Sequence, residues 1–343
     1  MTDMKKFSWN NLPRPIICLA PMAGYTDSAY RQLVKIIAPE VICFTEFTSV
    51  DGIKYGSERT LRQIGFNPEV ERPIVTQIFG KNPEHFASSA KVLEAMGVDA
   101  IDINMGCPVK KVVSSDHGSA LLENPDLAAR IVEATVKATN LPVSIKMRLG
   151  TKCMDEKFVL NYAKLMESAG AQLITIHGRT AKQMYTGKAD YSLIYEVKKN
   201  LSIPVIGNGD ITSIEKAQKQ LGNLDGLMIG RGTMGNPWLM AEIWNAFHEN
   251  DKKNLYIPPR TFSEKLPWTL KHMELSIETK GERRGVMEMR KYLAASVKDF
   301  PGASEYRSKL VRIESYEEAK KLLLGINEQA GNLENKAVMI KQF

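Results

Sequence analysis

A cysteine lies where a short apolar segment gives way to a glycine- and proline-containing loop. The β-branched residues of 98–103 predict a strand, which Gly106 and Pro108 end on either side of Cys107. A free cysteine usually only packs in the core, but these loop-forming neighbours argue against a plain core position. Two cations follow the cysteine closely, Lys110 and Lys111. A thiol at a strand end beside positive charge is suited to chemistry on an anionic substrate.

The elements that must position this thiol follow a regular pattern. Apolar runs of strand length alternate with helix-like patterns through roughly the first 245 residues, and we predict strands at 16–20, 41–45, 74–79, 100–104, 143–147, 172–177, 203–207 and 226–229. Continuous apolar strands separated by helices indicate a parallel sheet covered by helices. Eight such units predict an α/β fold, a (β/α)8 TIM barrel. An open doubly wound sheet is the alternative, although no GxGxxG follows the first strand.

In a barrel of this kind, function lies at the carboxyl ends of the strands. Gln77, Lys146 and His177 are polar residues at the tips of otherwise apolar strands. Turn formation does not explain residues of these types at those positions. The alternative for each is a buried polar group whose hydrogen bonds are satisfied within the core.

The last two strand ends resemble a phosphate site. In TIM barrels the loops after strands 7 and 8 often bind phosphate through backbone N–H groups. Here they supply glycines and one cation, in Asn208-Gly209-Asp210 and Gly230-Arg231-Gly232. Lys146 could stabilise negative charge on a bound ring such as a reduced flavin. The pattern indicates a phosphate-bearing cofactor; two tight turns and a surface arginine are the alternative.

The pattern changes after the barrel. Pro258 and Pro259 indicate a linker, and helical periodicity follows at 262–279, 285–297, 303–311 and 315–324. We therefore predict a catalytic barrel domain at 1–248, a linker at 249–260 and a helical domain at 261–343. Between 260 and 321 there are fourteen Lys and Arg against ten Asp and Glu. These cations could form a groove for a phosphate backbone, or simply a solvated surface.

Composition narrows the class of protein. The 343 residues are 43% hydrophobic, with a net charge of +7, which favours a polyanionic partner such as nucleic acid. No apolar run is long enough for a membrane span, and the polar first ten residues do not resemble a secretory leader. The four cysteines form no CxxC pair, so neither a disulfide framework nor a zinc site is expected. We expect a cytoplasmic, metal-free monomer.

Five segments together resemble the signature segments of the tRNA-dihydrouridine synthases: 20–27, 102–108, 177–180, 207–211 and 228–232. Two further segments, 289–291 and 300–303, resemble the helical domain of the bacterial B-type (NifR3-like) subfamily. The resemblance implies an FMN enzyme that reduces the C5–C6 double bond of selected uridines in tRNA, with NADPH as reductant. It also implies that the C-terminal domain, 261–343, binds the tRNA.

The resemblance also implies roles for individual residues. Cys107 would donate the proton to uracil C5, a role that suits a thiol because it is mostly protonated at neutral pH. The flavin would be bound by Pro21, Met22, Ala23, Gln77, Lys146, His177, Asn208, Gly209, Asp210, Gly230 and Arg231. Asn104 and Arg179 would position the uracil, and Lys110 and Lys111 would hold flanking phosphates.

Two other functions remain open from the sequence. One is an FMN barrel dehydrogenase or reductase acting on a free pyrimidine, which would not need a basic helical domain. The other is a non-catalytic RNA-binding protein with a vestigial barrel, although the set Gln77, Cys107, Lys146, His177 and Arg231 argues against lost catalysis.

Overall fold

Eight parallel strands close into a barrel in the computed structural model, which describes residues 7–109, 116–248, 258–297 and 302–340. The strands are β1 (Ile16–Leu19), β2 (Ile42–Phe44), β4 (Ile74–Phe79), β5 (Ala100–Met105), β6 (Val143–Arg148), β7 (Ile174–His177), β8 (Val205–Asn208) and β9 (Gly226–Ile229). Closure follows because β1 pairs with both β2 and β9, and β2 pairs in turn with β4. The predicted TIM barrel is confirmed. A two-residue strand that was not predicted, β3 (Thr48–Ser49), pairs with β4 outside the ring.

The inner face of the barrel changes from apolar to polar along the strands. A buried cluster includes Val75, Ala100, Leu173 and Ile206, which lie near the strand starts. Because side chains alternate between the two faces of a strand, the residues two and four positions later face the same interior. Those positions hold polar residues: Gln77, Asp102, Asn104, Thr175, His177 and Asn208. The apolar layer therefore supports a polar layer at the carboxyl mouth.

Helices connect the strands and begin at clear sequence signals. They are α1 (Ser28–Ile37), α2 (Val50–Lys54), α3 (Glu58–Ile64), α4 (Pro83–Ala95), α5 (Pro125–Ala138), α6 (Glu156–Ser168), α7 (Ser192–Asn200), α8 (Ile214–Leu221) and α9 (Leu239–Phe247). The Asn82 and Asn124 side chains accept hydrogen bonds from backbone N–H groups of α4 and α5, as expected where an N-cap precedes proline. The short helices α2 and α3 were not predicted.

The chain forms two compact units whose limits differ from the predicted domain boundary at residue 248. One contains Met1–Asp27 and Glu40–Gly232, and the other contains Ser28–Pro39 and Thr233–Phe343. The second unit includes α1 and α9 because α1 packs against the C-terminal helices and also contacts α9. Residues 249–257 of the predicted linker lie outside the described residues.

In its described residues, the second unit contains helices and no strand. Its remaining elements are α10 (Phe262–Lys280), α11 (Glu282–Ser296), α12 (Ala303–Leu310) and α13 (Tyr316–Ile340). Thr261 and Glu264 form a capping box at the start of α10. Tyr30 of α1 stacks on Tyr292 of α11, with ring centroids 5.6 Å apart. The last helix continues to Ile340, well beyond its predicted end at residue 324. Among the described residues, no helix is both long and apolar enough to cross a membrane.

Candidate active site

Strand register brings the predicted polar side chains together at the mouth of the barrel. Asn104 of β5 is the register partner of Lys146 of β6, and His177 of β7 is the partner of Asn208 of β8. Gln77 of β4 likewise lies beside Asp102 of β5. These residues are far apart in sequence but line one ring, because carboxyl ends of parallel strands meet at one edge.

A chain of buried hydrogen bonds leads from β5 through β4 to the cysteine loop. The Gln77 side chain donates from Nε2 to Asp102 Oδ2 at 2.6 Å, and Gln77 Oε1 accepts from Asn104 Nδ2 at 2.7 Å. Asn104 Oδ1 then accepts from the backbone N–H groups of Gly106 and Cys107, at 3.1 and 2.9 Å. Side chains of two strands thus fix the position of the Cys107 backbone.

Cys107 lies buried at the strand end, with 8% of its surface exposed. Burial raises the pKa of its thiol; the backbone of Val109 and the charges of Arg148 and Lys146 lower it by less. The thiol is therefore protonated at neutral pH, the state that a proton donor requires.

This environment predicts slow, pH-shifted alkylation of Cys107. Because only the thiolate attacks iodoacetamide and the folded pKa is raised, the rate should still be rising with pH above the range in which an ordinary cysteine levels off. Mass spectrometry of the Cys107 peptide across pH 7–10 would measure it, with exposed Cys153 as the internal comparison. If the alkylation rate of Cys107 levels off at the same pH as that of Cys153, or at a lower pH, the prediction is wrong.

Lys146 is a half-buried cation in the polar ring. Its Nζ donates to Asn208 Oδ1 at 3.0 Å, and Asn208 Nδ2 donates to Met228 O at 2.7 Å. Burial and the charge of Arg148 lower the pKa of Lys146 to about 8, while Asp102 and Cys107 raise it. The amine is thus mostly charged at pH 7 and can stabilise nearby negative charge.

Glycines occupy the turns after β8 and β9. Gly209 has φ +128°, and a Cβ there would lie only 2.7 Å from Ala189 Cβ, so both the backbone conformation and the close packing of this turn favour glycine. A Cβ on Gly230 would lie 3.3 Å from Met22 Sδ. Arg231 is half-exposed beside these turns, with its guanidinium 4.5 Å from the Tyr185 ring centroid. Glycine turns at strand ends with an adjacent exposed cation suit a phosphate.

Arg179 holds the turn after β8 from inside. Its side chain is 2% exposed, and Nη2 donates to both carboxylate oxygens of Asp210, at 2.8 and 2.7 Å. The same Nη2 also donates to the Gly187 backbone oxygen, and Nε donates to that of Thr186. This geometry favours a positioning role for Arg179; its direct contact with uracil stays a prediction.

His177 is held neutral beside Arg179. Burial and then the charges of Lys146, Arg148, Arg179 and Arg231 lower its pKa to about 2. Arg179 Nη1 lies 3.3 Å from His177 Nε2. Since a guanidinium only donates, Nε2 accepts, and Nδ1 bears the proton.

The loop after β1 closes one side of the mouth. Met22 O accepts from the backbone N–H groups of Tyr25 and Thr26, at 2.9 and 3.0 Å, and the Gly24 N–H donates to the Glu46 carboxylate. The predicted flavin contacts Pro21, Met22 and Ala23 lie in this loop. The predicted phosphate contacts Lys110 and Lys111 lie outside the described residues.

Sequence reasoning missed three residues of the ring, namely Asp102, Ser144 and Arg148. Arg148 Nε donates to Gly106 O, and its Nη1 donates to the Thr180 and Met184 oxygens, so it connects the cysteine loop to the loop after β7. These residues could have been found from the sequence, because each lies two positions from Asn104 or Lys146 and therefore on the same face of its strand.

Several cations of the second unit have partners within that unit. Lys280 and Arg284 both pair with Glu288, and Arg290 and Arg307 donate to the backbone oxygens of Ile313 and Val297. Lys298, Phe300 and Pro301 lie outside the described residues. Of these cations, Arg284 has the more exposed side chain, at 66% against 11% for Lys280.

Comparison with known proteins gives one consistent result. The family described as Dihydrouridine synthase (Dus) matches residues 18–331. A probable tRNA-dihydrouridine synthase 1 of Synechocystis sp. is 40% identical over 306 residues, which cover 89% of this chain and 84% of that protein. The tRNA-dihydrouridine synthase B of Xanthomonas campestris pv. campestris is 36% identical over 88% of this chain and 90% of its own length. The chain belongs to the dihydrouridine synthase family.

Proposed function

We propose that this protein reduces the C5–C6 double bond of selected uridines in tRNA to 5,6-dihydrouridine, with FMN as cofactor and NADPH as reductant. The observation that supports it most directly is the buried, protonated thiol of Cys107 at the mouth of the barrel. It lies in the same ring of strand ends as a half-buried lysine and a glycine-containing turn, in a chain of the dihydrouridine synthase family.

The residues of the mouth fit a flavin mononucleotide. The turns at Gly209 and Gly230, with Arg231, would bind the phosphate through N–H groups and a bidentate cation. Gln77 and Lys146 would hold the ring system, and His177, neutral with a proton on Nδ1, could donate to the ribityl side. Thr175 Oγ1 faces the same interior and has no hydrogen-bond partner among the described residues. A bound reduced flavin would supply the hydride.

Arg231→Gln should weaken FMN binding about 10- to 100-fold, because a hydrogen-bonded charge on phosphate contributes about 1.5–3 kcal/mol. Fluorescence titration of the flavin-free protein would measure the Kd. The matched control is Arg62→Gln on α3, an exposed arginine paired with Glu58, which should leave the Kd unchanged. Equal Kd values for the Arg231 variant and the wild-type protein would remove Arg231 from the phosphate site.

The residues of this chain would then complete the reduction of uracil. Hydride at C6 leaves negative charge on the C4 oxygen and C5, and Cys107 would protonate C5, so that one hydride and one proton are added across the double bond. Lys146 would stabilise the reduced ring, and Asn104 would orient the uracil. The target base must leave its stack to reach this mouth.

The tRNA would be bound by the C-terminal residues 261–343 and by Lys110 and Lys111. The excess of basic residues in 260–321 suits recognition of a phosphate backbone by shape and charge. Affinity should then fall steeply as salt rises.

The direct test follows the flavin and the RNA together. The purified protein would be reduced with NADPH without oxygen and mixed with tRNA from cells that lack the modification. Reoxidation of the flavin together with dihydrouridine in the tRNA would support the proposal. Reoxidation by free pyrimidines alone would favour a small-molecule reductase, and a protein that binds tRNA but no flavin would favour a non-catalytic RNA-binding role.

A further inference from the structure

A buried tyrosine anchors the turn after β8. Gly209 has φ +128° and Asp210 has φ +55°, so two consecutive residues of this turn lie at positive φ, where residues other than glycine are uncommon. The Tyr191 hydroxyl donates to Gly209 O at 2.9 Å, and Tyr191 is 7% exposed. A hydrogen bond shielded from water therefore fixes one carbonyl group of the turn.

The tyrosine ring lies on the outer face of β8. Ile206 belongs to the cluster inside the barrel, and side chains alternate along a strand, so Gly207 faces outward. A Cβ on Gly207 would lie 2.7 Å from Tyr191 Cε1. The missing side chain thus leaves room for the ring against the strand, and the turn is held from its outer side by Tyr191.

The hydroxyl of Tyr191 is a constant donor near neutral pH. Burial raises its pKa, the charges of Tyr195 and Asp210 raise it further, and the charge of Arg179 lowers it by less. The phenol therefore keeps its proton, and Gly209 O accepts from it.

The direction of the next N–H group follows from this bond. The peptide between Gly209 and Asp210 is trans, and in a trans peptide the C=O and N–H groups point in opposite directions. Because Gly209 O points to Tyr191, the Asp210 N–H points away from it. This N–H donates to no protein group among the described residues. A backbone donor in a glycine turn without an acceptor suits a phosphate oxygen.

This backbone has to be held, because an aspartate at positive φ stores free energy. Rotation of the peptide by half a turn would return Asp210 to negative φ and point its N–H toward Tyr191. The hydroxyl oxygen could accept from that N–H, but its proton would lose the one acceptor that it has among the described residues. An unpaired buried donor costs free energy, so the hydroxyl opposes this relaxation.

We propose that Tyr191 is a positioning residue for the cofactor phosphate. Its hydroxyl holds the Gly209 carbonyl on the outer side of the turn and so keeps the Asp210 N–H directed toward the phosphate. The inference rests on the proposed function, because that function places the phosphate of FMN at this turn.

The test is Tyr191→Phe, which removes the hydroxyl and keeps the ring. Fluorescence titration of the flavin-free, full-length protein would give the Kd for FMN and for riboflavin, which lacks the phosphate. The Kd for FMN should rise about tenfold, the factor for a lost hydrogen bond that leaves its acceptor buried, and the Kd for riboflavin should be unchanged. The matched control is Tyr195→Phe on α7, whose hydroxyl donates to Gln220 O at 3.1 Å; neither Kd should change.

Three other results would overturn the inference. If Tyr191→Phe raises both Kd values by the same factor, the hydroxyl supports the fold and not the phosphate; if it raises neither, the hydroxyl has no role in flavin binding. If the wild-type protein binds FMN no more tightly than riboflavin, it has no phosphate site, and FMN fails as the proposed cofactor too. Dihydrouridine formation by the wild-type protein is measured separately; its absence would overturn the proposed function and leave the Kd comparison valid.

Discussion

Replacement of Cys107 by alanine should slow the reoxidation of the reduced flavin by tRNA roughly 10²–10⁴-fold, the usual contribution of one positioned general acid. The reason is local. The thiol is buried and protonated, and its backbone is held by Asn104 and Ser119. Alanine removes the proton without changing the buried volume by more than one sulfur atom. Single-turnover absorbance of the flavin would measure the rate.

Two comparisons separate proton donation from a general effect on folding. Reduction of the flavin by NADPH does not need the proton at uracil C5, so its rate in the Cys107→Ala variant should match the wild-type rate. Cys153→Ala is the matched control, because Cys153 is exposed and free, and both half-reactions should be unchanged. If Cys107→Ala slows flavin reduction as much as reoxidation by tRNA, or slows neither, Cys107 is not the proton donor.

The barrel could be predicted from the sequence because each of its strands is marked by residues that are neighbours in the chain. Each predicted strand was a run of apolar residues, and the observed bounds differ by at most two residues at either end. The polar residues Gln77, Lys146, His177 and Asn208 were also visible, since each lies in the second half of such a run or directly after it. Closure of the barrel then places all four in one ring.

The partners of those tips could not be predicted, because they depend on register and on contacts between distant residues. Gln77 meets Asp102 across 25 positions, and Lys146 meets Asn208 across 62. Arg179 illustrates the consequence: the family resemblance implied a uracil contact, which stays a prediction, and the ion pair of its guanidinium with Asp210 was not foreseen. The grouping of α1 with the C-terminal helices is equally non-local, since it depends on packing against α10.

Asp210→Asn should destabilise the protein by about 3 kcal/mol, because it leaves the guanidinium of Arg179 buried without its counter-charge. This is the lower end of the range for breaking a buried ion pair: Asp210 retains 27% side-chain exposure, and Arg179 keeps the backbone oxygens of Thr186 and Gly187. Asparagine can still accept from the Ala189 N–H, so the variant removes mainly the charge. Urea unfolding of the flavin-free protein would measure the change without a contribution from ligand binding.

Arg231→Gln is the control for Asp210→Asn, because Arg231 also pairs with the Asp210 carboxylate. Arg231 lies 3.4 Å from Asp210 but is half-exposed, so Arg231→Gln should lower the free energy of unfolding by less than about 1 kcal/mol.

Burial acts to raise the pKa of Asp210, but the Ala189 N–H and Arg179, with the charge of Arg231, lower it overall. A folded pKa below the unfolded value of about 3.9 means that the stabilisation is complete above that value and is lost as the pH falls through the folded pKa. The stability difference between the wild-type protein and Asp210→Asn should therefore be constant from pH 8 to about pH 5 and shrink below pH 4. A difference that persists undiminished at pH 3 would mean that the charge of Asp210 is not what stabilises Arg179.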